Sequence, residues 1–206
     1  MYDNLHVTLA RTVAPAIAPI TLTEVKDWLR IDSSDEDSIL KNLIGAVTAY
    51  AETYTRRAFI TQTWKMETED FPRDSDSYVP GYPRLSGRDF IRLPRQPVQS
   101  ISSIKYYDNA DTLQTFASSN YTHEDDRVYL KDTATWASDT RNGMPVEITV
   151  VCGYGDKTTD IPDDLRFALT EHVAFMYENR GSDKIPASAL SVYKQFRKVS
   201  FGRLIG

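Results

Sequence analysis

The residues that most often carry chemistry in proteins are few in this chain of 206 residues. The single cysteine, Cys152, ends a run in which buried-type and polar residues alternate, so we expect it to lie on the buried face of a strand. A buried cysteine behaves as a small apolar side chain rather than as a nucleophile. His172 falls in the apolar stripe of a predicted helix, and His6 lies near the start of the chain. We therefore predict a core histidine at 172 and no nucleophile–base pair.

Two acidic clusters resemble metal sites at first sight. Residues 123–126 read His-Glu-Asp-Asp, but consecutive residues in a loop do not converge on one ion through spacing alone. Residues 32–37 resemble the start of a calcium loop, yet Asp37 replaces the glycine at the sixth place and Leu43 the carboxylate at the twelfth. Acidic residues just before a helix are better explained by capping and by the helix dipole. The sequence predicts no bound metal and no cofactor.

Motifs for phosphate binding and for acyl transfer are also missing. Gly153-Tyr154-Gly155 lacks a third glycine and the Lys-Ser/Thr pair of a phosphate loop, so it predicts a turn after a strand. No Gly-x-Ser-x-Gly motif and no zinc-ligand spacing occurs. An enzyme is therefore the weaker class, and we predict that the chain is not one.

Charge is unevenly distributed along the chain. Hydrophobic residues make up 41%, charged residues 26%, and the net charge is −5, which argues against a protein that grips nucleic acid over its whole surface. Six basic residues and one acidic residue give residues 180–206 a charge of +5, so the first 179 residues carry −10. A basic end on an acidic body is typical of a segment that binds an acidic partner, but also of a solvated terminal helix. Charge alone leaves both open.

Neither a membrane nor an oxidising compartment is indicated. No run of 18 apolar residues occurs, so we expect no membrane partner. A single cysteine excludes an internal disulfide and suits a reducing compartment.

Helical patterns occupy the two ends of the chain. Thr21 and Glu24 form a capping box that starts a short helix, and an i, i+3, i+4 apolar stripe over residues 40–54 predicts a longer one. A third helix begins at Pro162, and a last helical piece covers roughly residues 187–199. Phe167 and Val173 lie outside the apolar arc of the third helix, so they are candidates for partner contacts or simply scattered surface residues.

The middle of the chain has a different character. Short runs of β-branched and aromatic residues between 61 and 152 predict an antiparallel unit of about five to seven strands. We therefore predict an α+β fold, with a small helical bundle built from the N- and C-terminal helices and an inserted antiparallel β unit. The expected division is an N-terminal arm (1–18), a helical core (19–59 and 160–185), a β insertion (60–159) and a basic C-terminal tail or helix (186–206).

Several short motifs follow one another in a fixed order along residues 19–199. They are Ile20-Thr21-Leu22-x-Glu24-Val25-x-x-Trp28-Leu29-Arg30-Ile31, Asp35-Glu36-Asp37-x-Ile39-Leu40-x-x-Leu43-Ile44, Gln62-Thr63-Trp64, Leu93-Pro94-x-x-Pro97-Val98-x-Ser100-Ile101, Ile161-Pro162-x-x-Leu165-x-x-Ala168 and Tyr177-Glu178-x-Arg180. In this set the chain resembles the head–tail connector, or adaptor, family of long-tailed phages and gene transfer agents. Each motif is weak alone, and the order and spacing carry the resemblance.

The resemblance implies a structural virion protein at the head–tail junction, synthesised in the host cytoplasm. It implies a ring of identical subunits, with twelve the expected number, docked beneath the portal protein. DNA passes non-specifically through the lumen of such a ring, and stopper or tail-completion proteins attach below it. The alternative is a small DNA-binding or DNA-packaging accessory protein that acts through its basic C-terminal tail.

Candidate site residues follow from that implied assembly. We expect the C-terminal tail to be mobile in the monomer and to become ordered against the portal. Its expected portal-binding residues, apolar anchors first and basic residues second, are Leu190, Tyr193, Phe196, Arg197, Lys198 and Arg203. A closed ring also needs two different surfaces on each subunit. The candidates for subunit–subunit contacts are Phe167, Val173, Tyr78 and Tyr82.

Overall fold

The computed structural model describes residues 7–71, 90–180 and 184–198. The chain divides into two compact units. A helical unit comprises Pro15–Thr61 and Gly153–Gly206, and a β unit comprises Met1–Ala14 and Gln62–Cys152. Helices from both ends of the chain thus surround an antiparallel insertion in sequence, and the predicted α+β class is confirmed.

The helical unit holds four α-helices within the described residues. They are α1 (Leu22–Leu29), α2 (Asp37–Thr55), α3 (Asp163–Glu178) and α4 (Ala187–Phe196). The predicted capping box starts α1: the Glu24 amide donates to Thr21 Oγ1 at 3.1 Å, and the Thr21 amide donates to Glu24 Oε2 at 2.6 Å. Helices α1 and α2 both end at an arginine in the left-handed region, Arg30 and Arg56, each with φ 57°.

The acidic run before α2 does not cap that helix through a side chain. Glu36 occupies the N-cap position without a side-chain hydrogen bond to the helix. Its carboxylate instead accepts from the Tyr177 hydroxyl and, at 2.8 Å, from the Arg180 guanidinium at the end of α3. Asp37 pairs with Lys26 Nζ at 2.8 Å, which ties α1 to α2. The predicted capping role is therefore wrong for these side chains, which join helices instead.

One apolar cluster forms the core of the helical unit. The stripe of α2 lies against α3, and α3 also contacts α1 and α4. Its members on α2, α3 and α4 are Leu40, Ile44, Val47, Ala51, Leu165, Ala168, Leu169, Val173, Ala189 and Tyr193. Within the described residues, no helix combines the length and the apolar character needed to span a membrane.

Within the residues that the structure describes, the β unit contains two antiparallel sheets. Its strands are β1 (Val7–Val13), β2 (Gln62–Thr68), β3 (Phe90–Arg92), β4 (Val98–Tyr107), β5 (Leu113–Phe116), β6 (Tyr121–Glu124), β7 (Arg127–Leu130) and β8 (Val146–Cys152). The larger sheet has the order β1-β2-β8-β4-β5, and the smaller one has the order β3-β7-β6. Strand β8 is central in the larger sheet, and its buried side chains alternate with half-buried ones as the sequence predicted.

The expected division of the chain differs from the structure at both ends. Residues 7–13 of the expected arm form β1, which pairs with β2 from Val7 opposite Thr68 onwards. The described part of the expected tail is largely α4, which packs in the helical unit. The boundaries of the insertion fall after residues 61 and 152 rather than after 59 and 159.

Candidate interaction surfaces

Cys152 cannot serve as a nucleophile in this fold. Its side chain has no exposed surface on β8, and burial raises the pKa of the thiol to about 12. The thiol is therefore protonated at neutral pH, and the thiolate is the form that attacks electrophiles or binds metals. The sequence-based prediction of a buried small apolar side chain is confirmed.

His172 is a core histidine of α3, as predicted. Its side chain is buried, and Nδ1 lies 3.3 Å from the Tyr193 hydroxyl. The Tyr50 ring meets the imidazole edge to face, with ring centroids 5.8 Å apart. Burial lowers the pKa of His172, since a charged imidazolium is poorly solvated there. These contacts give the histidine a structural role.

The acidic residues around the β6–β7 turn are engaged with neighbouring side chains. Gln96 Nε2 donates to Asp125 Oδ1 at 2.7 Å. Asp126 is buried, with Arg92 and Arg127 nitrogens 3.8 and 3.9 Å from its carboxylate. Across residues 7–71, 90–180 and 184–198, no group of three His, Cys, Asp or Glu side chains is arranged to hold a metal ion.

An exposed aromatic pair lies on α1 and α3. The rings of Trp28 and Phe167 meet edge to face with centroids 5.2 Å apart, yet 48% and 52% of their surfaces are exposed. Beside them Arg166 pairs with Glu24 and, at 3.3 Å, with Asp163. Burial raises the pKa of Glu24, but hydrogen bonds from Thr21 and Arg166 outweigh burial and lower the pKa overall. Phe167 is thus off the core, as the sequence predicted, and its aromatic partner Trp28 was missed.

Val173 is not on the surface. It has no exposed area and belongs to the core cluster, so the prediction that it lies outside the apolar stripe is wrong. The reason is that α3 contacts α1, α2 and α4, which gives it a wider buried arc than a helix packed on one side only. A fully buried side chain offers nothing to a neighbouring subunit. Tyr78 and Tyr82 lie outside the described residues.

The C-terminal helix α4 combines a buried side with an exposed basic one. Tyr193 has no exposed surface and packs against the rings of Tyr54 and His172, so its predicted role as an exposed portal anchor is wrong. The other expected anchors, Leu190 and Phe196, are half-buried. Exposed residues of the helix and its end include Ser191, Lys194, Gln195 and Arg197. Lys198 is partly exposed, and Arg203 lies outside the described residues.

The end of α4 is fastened to the end of α2. Arg57 Nε donates to the Phe196 carbonyl at 2.7 Å, and its guanidinium lies 5.9 Å from the centroids of both Tyr154 and Phe196. The Lys198 amide donates to the Thr55 carbonyl at 3.1 Å. The segment expected to be free until it meets a partner is therefore fixed as far as residue 198. No short-range sequence pattern indicates this contact, which joins residues 139 positions apart.

An open apolar groove of about 400 Å³ runs beside α1 and α2. Its walls include Ile17, Ile20, Leu22 and Ile44, and Lys41 is the one ionisable residue among the described residues that line it. Gly45 also lines the groove, and a Cβ added there would meet nothing within 4 Å. The groove is therefore apolar, open and bordered by one positive charge.

The family comparison and the structure comparison both match this chain to proteins of phage or gene transfer agent particles. Residues 19–129 match the model of the phage gp6-like head-tail connector protein family. A chain of the virion of a native gene transfer agent particle superposes with a TM-score of 0.73 at 22% identity, with coverage of 97% of this chain and 98% of the other. A chain from the neck of an empty particle, computed with C6 symmetry, gives the same values. A chain from the neck of a native particle with C12 symmetry gives 0.68 and 21%, with the same coverage. Curated protein sequences gave no match.

The likeness to the solved structures, at identities of 21–22%, establishes the shared fold. The family match spans more than half of the chain. The chain therefore belongs to the phage gp6-like head–tail connector family and is a structural connector protein of the virion head–tail junction.

Proposed function

We propose that this connector forms a ring of identical subunits, twelve in number, docked beneath the portal protein. DNA passes through the lumen, and a stopper or tail-completion protein attaches below. The family match over residues 19–129 is the observation that carries this proposal. The C6 and C12 symmetry of the neck particles that contain similar folds supports a cyclic assembly. Catalysis has no part in this function.

The exposed side of α4 is the proposed portal contact. Residues 184–198 contain Lys184, Lys194, Arg197 and Lys198 and no acidic residue, so this segment suits an acidic partner surface. Leu190 and Phe196 of the same helix are half-buried and supply apolar contact. Because α4 is fixed to α2 through Arg57, the portal meets a pre-ordered helix and the cost of ordering it on binding is small. In sequence, Arg203 extends the same basic character.

The acidic remainder of the chain suits a DNA conduit. The first 179 residues carry a net charge of −10. Phosphates are repelled by such a surface, so DNA moves past it without tight capture.

Mixing the purified chain with a portal protein and imaging the complexes by negative-stain electron microscopy tests the proposal. We expect rings seated on one end of the portal. The double charge reversal Lys194→Glu with Arg197→Glu should abolish them, because both side chains are exposed on the proposed contact. Lys131→Glu, at an exposed position in the β unit, is the matched control and should leave rings intact. If the wild-type protein does not bind the portal, the proposal is overturned. If the double variant binds as the wild type does, the proposed role of α4 is overturned.

A further inference from the structure

We infer that neighbouring copies in the ring join by insertion of the Trp28–Phe167 pair of one copy into the apolar groove of the next. This inference rests on the proposed ring and names its subunit contact. A head-to-tail ring needs two different surfaces on every subunit that fit each other. The helical unit carries such a pair, since α1 contributes to both surfaces. Leu22 at its start lines the groove, and Trp28 near its end belongs to the aromatic pair.

The aromatic pair has the properties of an interface anchor. Two large rings stand about half exposed, and their edge-to-face contact at 5.2 Å holds each in a fixed orientation. Exposed tryptophan and phenylalanine side chains that insert into a partner pocket carry much of the binding energy in protein interfaces. Arg166 beside them already pairs with Glu24 and Asp163, so docking does not leave its positive charge without an acidic partner.

The groove is shaped to accept rings. Its volume of about 400 Å³ falls within the range of roughly 300–1,000 Å³ that is typical of binding pockets. Its lining includes three isoleucines, a leucine and an alanine together with two threonines. Ile17 is 43% exposed, whereas Ile20 and Ile44 are 1% and 4% exposed. Gly45 lines it without a side chain, which lets a partner approach the backbone of α2 closely.

Charge complementarity favours a second copy of the same chain as the occupant. Within the part of the chain that the structure describes, Lys41 is the one ionisable residue that lines the groove. Asp163 and Asp164 stand four and three residues before Phe167 on α3, so they share its face, and the Asp163 side chain is 97% exposed. A copy cannot fill its own groove, because Leu22 and Trp28 lie on faces of α1 about 120° apart.

Filling the groove tests the inference without weakening the fold. Gly45→Leu places a side chain in open space and replaces a glycine within a helix by a good helix former, so the thermal midpoint should not fall. We expect copies to bind the portal singly and closed rings to decrease at least about tenfold in native mass spectra. Ala46→Leu, the next residue on the same helix and not a lining residue, is the control and should form rings as wild type does.

Mixing two variants distinguishes this contact from others. Phe167→Asp removes the inserted ring and keeps the groove, whereas Gly45→Leu keeps the ring and blocks the groove. Each variant alone should bind the portal as single copies, and an equal mixture should give adjacent pairs but no closed rings. Rings from either variant alone overturn the inference and leave the proposed ring standing. Wild-type protein that forms no ring overturns both.

A charge exchange gives a second readout. Lys41→Asp should weaken ring closure, and adding Asp163→Lys with Asp164→Lys should restore it, because the attraction is reversed in sign and retained. Failure of the triple variant to recover, with its thermal midpoint unchanged, contradicts the assigned orientation of the two surfaces.

Discussion

At the scale of single residues, the polar groups inside the helical unit are used for packing. Nδ1 of His172 faces the Tyr193 hydroxyl, and the Tyr193 hydroxyl also points at the Ala168 carbonyl at 3.4 Å. Tyr50 and Glu171 are the other groups that act on the imidazole. A buried polar network of this kind favours one arrangement of the three helices. Leaving a buried polar group without a partner costs more free energy than pairing it gains.

His172 makes the stability of the protein sensitive to pH. Burial lowers its pKa from the ordinary value of 6.5, so the folded state prefers the neutral imidazole. Below pH 6.5 the unfolded chain binds the proton first, and the free energy of unfolding falls as the pH decreases towards the folded pKa. We expect the urea midpoint of the wild type to fall in this window and that of His172→Gln to stay flat. Equal slopes for the two proteins contradict the prediction.

The carboxylates of Glu36 and Glu24 affect stability at a lower pH than His172 does, so their titration does not interfere with that measurement. Hydrogen bonding from Tyr177 lowers the pKa of Glu36, and the hydrogen bonds from Thr21 and Arg166 lower that of Glu24 in spite of burial. Their contributions are present above the ordinary value of 4.5 and are lost as the pH falls through the folded pKa values. The wild type and His172→Gln should therefore lose stability in parallel below the ordinary carboxylate value of 4.5.

At the scale of elements, α4 belongs to the core of the helical unit. Tyr193→Ala removes a fully buried ring between α2 and α3 and should lower the free energy of unfolding by about 3–5 kcal/mol. Lys194→Ala, one residue away and exposed, should change it by less than about 0.5 kcal/mol. Chemical unfolding followed by circular dichroism measures both. A small loss for Tyr193→Ala would mean that α4 does not contribute to the core.

Local signals in the sequence predicted much of this architecture. The capping box of Thr21 and Glu24, the apolar stripe of α2 and the alternation in β8 each depend on neighbours a few residues away, and each was found in the structure. Strand β1 was missed because its residues are exposed on both faces and so show no alternation. Its pairing with β2 is a long-range contact that short-range patterns do not encode.

The interaction surfaces were less predictable than the elements. Val173 was expected outside the core because a periodicity argument considers one helix at a time. Tyr193 was expected on the surface because the resemblance implied a portal-binding tail. Val173 is buried because α3 contacts three other helices, and Tyr193 is buried because α4 packs in the same core. Phe167 was correctly predicted to lie outside the core. Its contact with Trp28 was missed because it joins helices far apart in the sequence.

At the scale of the whole molecule, the charge asymmetry is compatible with both a connector and a DNA-binding protein. Residues 180–206 carry +5 and the rest of the chain carries −10. The same basic segment suits either an acidic protein surface or a phosphate backbone. The two functions differ in how DNA affinity depends on salt concentration and in which partner binds to α4.

We predict weak DNA binding that does not depend on α4. Six basic residues that contacted phosphates would make the logarithm of DNA affinity fall with the logarithm of salt concentration with a slope of about −5. We expect no measurable binding of double-stranded DNA at about 0.15 M salt, since the acidic body repels phosphates over distances of about 8 Å. Fluorescence anisotropy with the wild type and with the Lys194→Glu, Arg197→Glu variant measures this. Tight binding with that steep slope, lost in the variant, would favour the accessory DNA-binding function. Weak binding in both, with portal docking lost only in the variant, assigns the basic helix to the portal.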